Sequence, residues 1–280
     1  PFAFMGPTLL VLFVLSYLPL VYAFILAMSS SELGTGKLSF VGLQNIIALL
    51  KEKDFIESFF TTMKFGAVST LMLVVLGLVL AIIFDSKVKF TSTYLTILFI
   101  PWVISPVVTG ITWRWLFNVD YGLLNYLFQP FGLKVSNLVT KPSIAFLSIS
   151  IVELWREIAY STLLLLAGLQ SISREYSESA KIDGCSWWQV IRYVTLPILR
   201  PTILVVALLL IIRCMNQTGT ILVMTYGGPV RATETMSVYM YKEAFFNFHL
   251  TNAASISVVL SIINMIFVFA YFRLNRKSAQ

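Results

Sequence analysis

Six long apolar runs, separated by shorter polar stretches, organise this chain: residues 7–28, 65–84, 90–113, 142–170, 202–224 and 251–272. Each is long enough to cross about 30 Å of hydrocarbon at about 1.5 Å per helical residue. A membrane core offers no water to peptide groups, and the runs lack the apolar-polar alternation of a barrel strand, so the pattern predicts helices. The fold class that follows is all-α, a polytopic membrane protein with about six transmembrane helices. Composition agrees: of 280 residues, 58% are hydrophobic and 12% charged, against roughly a quarter charged in a soluble domain. No linker, low-complexity tract or composition break divides the chain, so residues 1–280 read as a single domain, with one polar loop, 171–200, inside it.

The net charge of +7 bears here on orientation rather than on nucleic acid, for which no role is expected. With the helices alternating and Glu178 on the cytoplasmic side, nine Lys and Arg fall in the inside stretches and nine in the outside stretches. The inside stretches total about half the length, so their density of positive charge is about twofold higher, the direction of the positive-inside rule. The chain starts at Pro1 and its first apolar run has no charged flank, so a cytoplasmic segment is expected to precede it; no cleavable signal peptide is visible. Cys185 in the polar loop and Cys214 in the fifth run lie in different environments, and neither CxxC nor Cys/His ligand spacing occurs, so both read as unreactive thiols with no metal site.

The outside loops carry some order. LQNIIALL, within the stretch after the first run, suits a short interfacial helix, and YGLLNYLFQPFGL around Pro130 and Gly132 suits the outer membrane surface, where aromatic rings are favoured. GTGKLS at 34–39 resembles the end of a phosphate loop, but the full pattern needs Gly where Ser31 stands and Ser or Thr where Leu38 stands. The chain therefore binds no nucleotide by that motif.

The polar loop is the most informative stretch. In SREYSESAKIDG, Ser173 or Ser177 can cap a helix, Glu175 and Glu178 suit its N-terminus, and Gly184 can end it in a left-handed turn. A second helix starts after Ser186 and sets Trp187, Ile191 and Val194 on one face. Pro197 and Pro201 are expected to end that helix and start the fifth membrane helix. The loop reads as a helix-turn-helix standing out of the membrane with an aromatic and aliphatic face.

Glu178, Ser179, Ala180, Asp183 and Gly184, followed by Thr195, Leu196 and Pro197, resemble the EAA loop of permeases of binding-protein-dependent ATP-binding-cassette importers. FVGLQNI at 40–46, PWVISPVVTGITWRWLF followed by YGLLN, and VMTYGGPVRATETMSVYMYKEAF at 223–245 resemble the carbohydrate branch of that family, which includes the first maltose permease subunit and the glycerol-3-phosphate permeases. The resemblance implies a type I importer fold, with Glu178, Ser179, Ala180, Asp183, Gly184, Trp187, Ile191, Leu196 and Pro197 coupling to an ATPase subunit. It departs from the family at Ser179, second in the triplet, at Ile191, where the hydrophobic knob is often Phe, and in the fifth run. There Thr218 and Gly219 replace a frequent Phe-Asp, so the sugar's identity does not carry over.

Charged groups inside a membrane cost roughly 2.5 to 3.5 kcal/mol each on insertion scales and usually face partner helices or a wet route. Glu153, Arg156 and Glu157 are three and four apart, so Arg156 can neutralise either acid; they either fix helix packing or wall a translocation route. Arg213, Asn216 and Gln217 are expected on one face of the fifth helix with no acid on the same helix, and they suit a solute pathway, since amides donate and accept to sugar hydroxyls and nearby aromatics stack on sugar rings. Arg156 and Arg213 also suit an acidic solute.

The resemblance implies a multi-pass permease of the bacterial inner membrane that holds no cofactor of its own. Its partners would be a second permease, two ATPase subunits binding ATP and Mg, and an extracytoplasmic solute-binding protein that delivers a sugar or oligosaccharide. A phosphorylated polyol such as glycerol 3-phosphate is the alternative solute. A membrane enzyme is disfavoured by the lone His249 and by the lack of HExxH or GxSxG, and a channel or ion-coupled carrier by the lack of a convincing inverted repeat.

Overall fold

The computed structural model describes residues 2–31, 38–86, 89–118, 120–131 and 141–276. In chain order the helices are α1 (Met5–Ala27), α2 (Gln44–Leu49), α3 (Lys53–Asp85), α4 (Thr91–Val103), α5 (Pro106–Leu116), α6 (Leu123–Phe128) and α7 (Pro142–Gln170). They continue with α8 (Arg174–Ile182), α9 (Trp187–Met215), α10 (Gly219–Thr225), α11 (Met236–Phe245) and α12 (Leu250–Arg276). A small antiparallel pair, β1 (Ser29–Ser31) and β2 (Leu38–Phe40), follows α1 with Ser29 opposite Phe40. Asn45 Nδ2 donates to the carbonyls of Ala27 and Ser29 at 3.0 and 2.8 Å, tying the expected interfacial helix α2 to the end of α1. Residues 34–37 of the rejected phosphate-loop pattern lie outside the described residues.

Among the described residues, α1, α3, α9 and α12 are each long and apolar enough to cross a membrane. α7 is as long, at 29 residues, but carries Glu153, Arg156 and Glu157. The third apolar run is not one straight helix: α4 and α5 meet at 94°. Pro106 explains the break, because a proline clashes with a helical residue before it. Ser105 is accordingly extended, at ψ 140°, and Pro106 opens α5, where its missing N–H costs nothing.

The fifth run departs from expectation at both ends. α9 starts at Trp187 and passes through Pro197 and Pro201 without ending, so the two prolines do not divide loop from membrane helix. A wider π turn at Ile191–Thr195 lies just upstream; such local rewinding is one way a membrane helix absorbs the bonds a proline removes. At the other end α9 stops at Met215, and residues 216–218 separate it from α10. Asn216 caps that end: its backbone N–H and its Nδ2 both donate to the Ile212 carbonyl, at 3.2 and 2.7 Å.

The core lies between α3, α7 and α9, where Phe65, Leu73, Ile149, Val152, Leu165, Leu199 and Leu210 are almost wholly buried. α3 and α7 come into close contact at Gly77: a Cβ there would fall against the Ser161 side chain and 3.3 Å from its backbone carbon. Ser161 Oγ also donates to the Leu73 carbonyl across this crossing, at 2.8 Å. Gly77→Leu is expected to force the two helices apart at a cost of about 3 kcal/mol or more, read as a loss of monodisperse protein in detergent and a lower Tm, with Leu71→Ala on the exposed face of α3 as the neutral control.

At the opposite end of the bundle from 171–200, the buried carboxylate of Glu243 staples α11 to α12. It accepts from Asn247 Nδ2 at 2.6 Å and from Asn252 Nδ2 at 3.0 Å, and His249 Nδ1 lies 3.0 Å from the same oxygen as Asn252. Burial alone would raise its pKa, but these three partners outweigh it and hold the group below the usual carboxylate value.

Candidate solute pathway and coupling surface

Two parts of the molecule carry the residues singled out in the sequence, and the same helices join them. The first is the helix-turn-helix at 171–200. Ser173 caps α8 by accepting from the Glu175 N–H, and Ser186 starts α9 with a reciprocal pair: its Oγ accepts from the Gln189 N–H, while its own N–H donates to Gln189 Oε1 at 2.7 Å. Between them Gly184 sits at φ +82°. Nothing lies within 4 Å of where its Cβ would be, so the backbone conformation and not crowding demands glycine.

Ala180, Val190 and Ile191 are buried in the junction. Ile191 therefore points inward, with 7% of its surface exposed, and does not stand out as a knob. The outward apolar surface is made by Trp187 together with three residues the spacing argument passed over: Ile182 (86% exposed), Trp188 and Tyr193. The missed signal was simple, since bulky apolar groups in the most polar loop of the chain have no core of their own to enter. Glu178, Ser179, Asp183 and Pro197 lie on the same exposed segment, and Leu196 is half-buried.

The second part is a polar layer inside the bundle. Arg156 NH2 lies 2.8 Å from Glu153 Oε1 and 2.6 Å from Glu157 Oε1, so it serves both acids of α7 at once. Arg213 reaches across from α9 and grips Glu157 with two bonds, Nε to Oε2 at 3.2 Å and NH2 to Oε1 at 2.8 Å. Gln217 donates to Glu153 Oε2 at 2.9 Å. Thr220, whose Oγ1 lies 3.3 Å from Gln217 Nε2, donates to the Pro106 carbonyl at 3.2 Å, where α5 begins. Ser237 of α11 donates to the Gln217 carbonyl at 2.8 Å. Two carboxylates and two guanidiniums thus cancel, at the level where both broken helices change direction.

Arg213, Asn216 and Gln217 do not share a face, because the helix ends at Met215. Gln217 turns inward and is buried, Asn216 is exposed, and the Arg213 side chain is 41% exposed. The Arg213 guanidinium sits 4.8 Å from the Tyr160 ring centre, and Tyr160 stacks on Trp102 at 5.9 Å and 2°. Sequence spacing missed Tyr160 and Trp102, which the fold alone brings beside Arg213. Among the described residues no group of acidic, His and Cys side chains has metal-site geometry.

An all-helical bundle with a charged layer at its centre and a protruding helix-turn-helix at one end is the architecture of a type I ABC importer permease. The chain belongs to the family of inner membrane components of binding-protein-dependent transport systems, whose profile matches residues 73–280. It is 32% identical over 265 residues to the trehalose/maltose transport system permease protein MalF of Thermococcus litoralis, covering 95% of this chain and 88% of that one. The sn-glycerol-3-phosphate transport system permease protein UgpA of Escherichia coli O157:H7 is 30% identical over 84% of this chain and 79% of its own length. In fold it resembles a chain of a bacterial alginate ABC transporter solved with an alginate pentasaccharide-bound periplasmic protein, at TM-score 0.85 and 20% identity, covering 99% of this chain and 93% of that one.

Proposed function

We propose that this chain is one of two permease subunits of an ATP-driven importer that carries a sugar or oligosaccharide from an extracytoplasmic binding protein across the bacterial inner membrane. The observation that carries the reading is the opening of the buried polar layer at Arg213 and Asn216, beside Tyr160. A partly exposed guanidinium and an exposed amide are costly against lipid, so this face is suited to a water-filled route or to another protein. Their chemistry suits hydroxyl-rich solutes: donors and acceptors for hydroxyls, an aromatic ring for the sugar face. The names of MalF and UgpA, a sugar and a phosphorylated polyol permease, support the same class.

In this reading the chain is non-catalytic. Two ATPase subunits bind ATP and Mg, and their closure pushes on Ile182, Trp187, Trp188 and Tyr193. The thrust travels along α9, which is continuous from that surface to Arg213. Rotation of α9 against α7 then opens the polar layer to the outside, where the binding protein delivers its solute. A phosphorylated polyol remains the second reading, favoured by the exposed edge of Arg213.

The test is purification of the tagged chain from its native host, followed by a thermal-shift ligand screen of the binding protein that comes with it. A second permease, ATPase subunits and a sugar-binding protein are expected. With that solute, Asn216→Ala is expected to lower uptake about fivefold, the loss of roughly one hydrogen bond, with complex yield unchanged. A chain that purifies as a lone oligomer and supports uptake without ATP overturns the proposal.

A further inference from the structure

At the 171–200 end of the bundle, two cavities meet around Phe84. One, of about 560 Å³, lies between α3, α4 and α7 and is lined almost wholly by apolar side chains: Leu80, Ile83, Tyr94, Ile97, Pro101 and Trp155 among them. It opens onto the perimeter, where Tyr94 and Ile97 are half exposed. The other, of about 470 Å³, is polar and lined by Asp85, Thr91, Gln170 and Arg174. Both volumes fall in the range of small-molecule sites.

Their order follows depth in the bilayer. Asp85 ends α3 and Arg174 begins α8, so the polar cavity sits where helices leave the hydrocarbon. Leu80 is five residues back along α3 and Pro101 ten residues into α4, about 8 and 15 Å deeper at the helical rise, within the roughly 15 Å of hydrocarbon that one leaflet supplies. Neither the Asp85 carboxylate nor the Arg174 guanidinium has a hydrogen-bond or ion-pair partner among the described residues, although both line the same space.

We infer that the two cavities form one phospholipid site, with an acyl chain in the apolar groove and a zwitterionic aminophospholipid headgroup between Asp85 and Arg174. The guanidinium matches a phosphate and the carboxylate matches a primary ammonium. An anionic headgroup would leave Asp85 facing like charge, and a quaternary ammonium has no N–H to give it. The occupant is a membrane lipid because the groove opens sideways into the bilayer and the charges stand at headgroup level. The site adds a partner of the fold itself and does not depend on which solute is carried.

The assembled transporter, stripped of lipid by detergent exchange, is reloaded from nanodiscs holding phosphatidylethanolamine, phosphatidylcholine and phosphatidylglycerol in equal parts, and retained lipid is counted by native mass spectrometry. One phosphatidylethanolamine per chain is expected, favoured about tenfold over the other two, a factor one charge-assisted hydrogen bond supplies. Asp85→Asn is expected to abolish the preference over phosphatidylcholine, and Arg174→Gln to lower retention of all three roughly tenfold. Ile97→Trp is expected to block retention by filling the groove while thermal unfolding and ATPase activity persist, which separates lipid loss from misfolding. Three lipids held in proportion to supply and indifferent to Asp85→Asn would mean annular lipid only and overturn the site. Preference for phosphatidylglycerol overturns the headgroup assignment. Retention by the isolated chain that vanishes when ATPase subunits are present assigns the cavity to a protein partner and overturns the lipid reading.

Discussion

Arg156→Leu is expected to remove this chain from the membrane almost completely. The substitution leaves Glu153 and Glu157, with 1% and 0% of their side chains exposed, sharing only what Arg213 and Gln217 supply. Breaking a buried pair from one side costs about 3 to 5 kcal/mol, because an uncompensated charge stays behind. That is a large fraction of the roughly 5 to 15 kcal/mol by which folded domains are stable. Arg213→Gln should behave differently, since Glu157 keeps Arg156 at 2.6 Å and Arg213 is itself partly exposed; a loss of about 1 kcal/mol is expected there. The measurement is membrane abundance and Tm of the detergent-solubilised complex for both variants. Glu153→Gln combined with Arg156→Leu should recover abundance, because it removes one charge of each sign and leaves Glu157 paired with Arg213. Equal abundance for wild type and Arg156→Leu would show that Arg156 is not what compensates the acids.

This ranking was out of reach of sequence spacing. The i, i+3 and i+1 relations among Glu153, Arg156 and Glu157 are local, and the pairing of Arg156 with both acids is readable from them. Arg213, by contrast, has no acid on its own helix, and its partner lies 56 residues away across a helix contact. The same limit hid Tyr160 and Trp102. Hydropathy found the six runs because burial in lipid acts on each residue separately, and it set the bounds of α7 to the residue, Pro142 and Gln170, where a proline opens the helix and polar residues follow it. It failed where apolarity continues through a change of backbone direction. Pro106 breaks one run although both sides are greasy, whereas Pro197 and Pro201 break nothing. Their fates differ because Ser105 is free to be extended between two half-helices, while α9 is held from Trp187 onward by its capping box and by the packing of Val190 and Ile191 on α8.

The coupling path gives the second large effect. Gly184→Val is expected to abolish uptake while leaving insertion and the polar layer intact. A left-handed conformation costs an L-residue about 1 to 2 kcal/mol and a β-branched one more. At Gly184 that cost cannot be relieved by crowding or its absence, since the space around the missing Cβ is open. The turn must move instead, and it carries two bonds, Gly184 N–H to the Lys181 carbonyl at 3.1 Å and Cys185 N–H to the Ala180 carbonyl at 3.0 Å. Losing them swings α8 away from the start of α9 and splits the surface made by Ile182, Trp187 and Trp188. Gly184→Asn should retain much more function, because Asn tolerates the left-handed region. Uptake and ATPase activity measured on the same proteoliposomes distinguish the outcomes: Gly184→Val should show uptake reduced at least about tenfold, as about 1.4 kcal/mol requires, with ATP hydrolysis either unregulated or absent. Membrane abundance should stay close to wild type, with Tm lowered by no more than the few degrees that about 1 to 2 kcal/mol allows. Normal uptake by Gly184→Val would remove 171–200 from the coupling path, and an equal loss in Gly184→Asn would place the requirement in the space around the turn and not in its backbone.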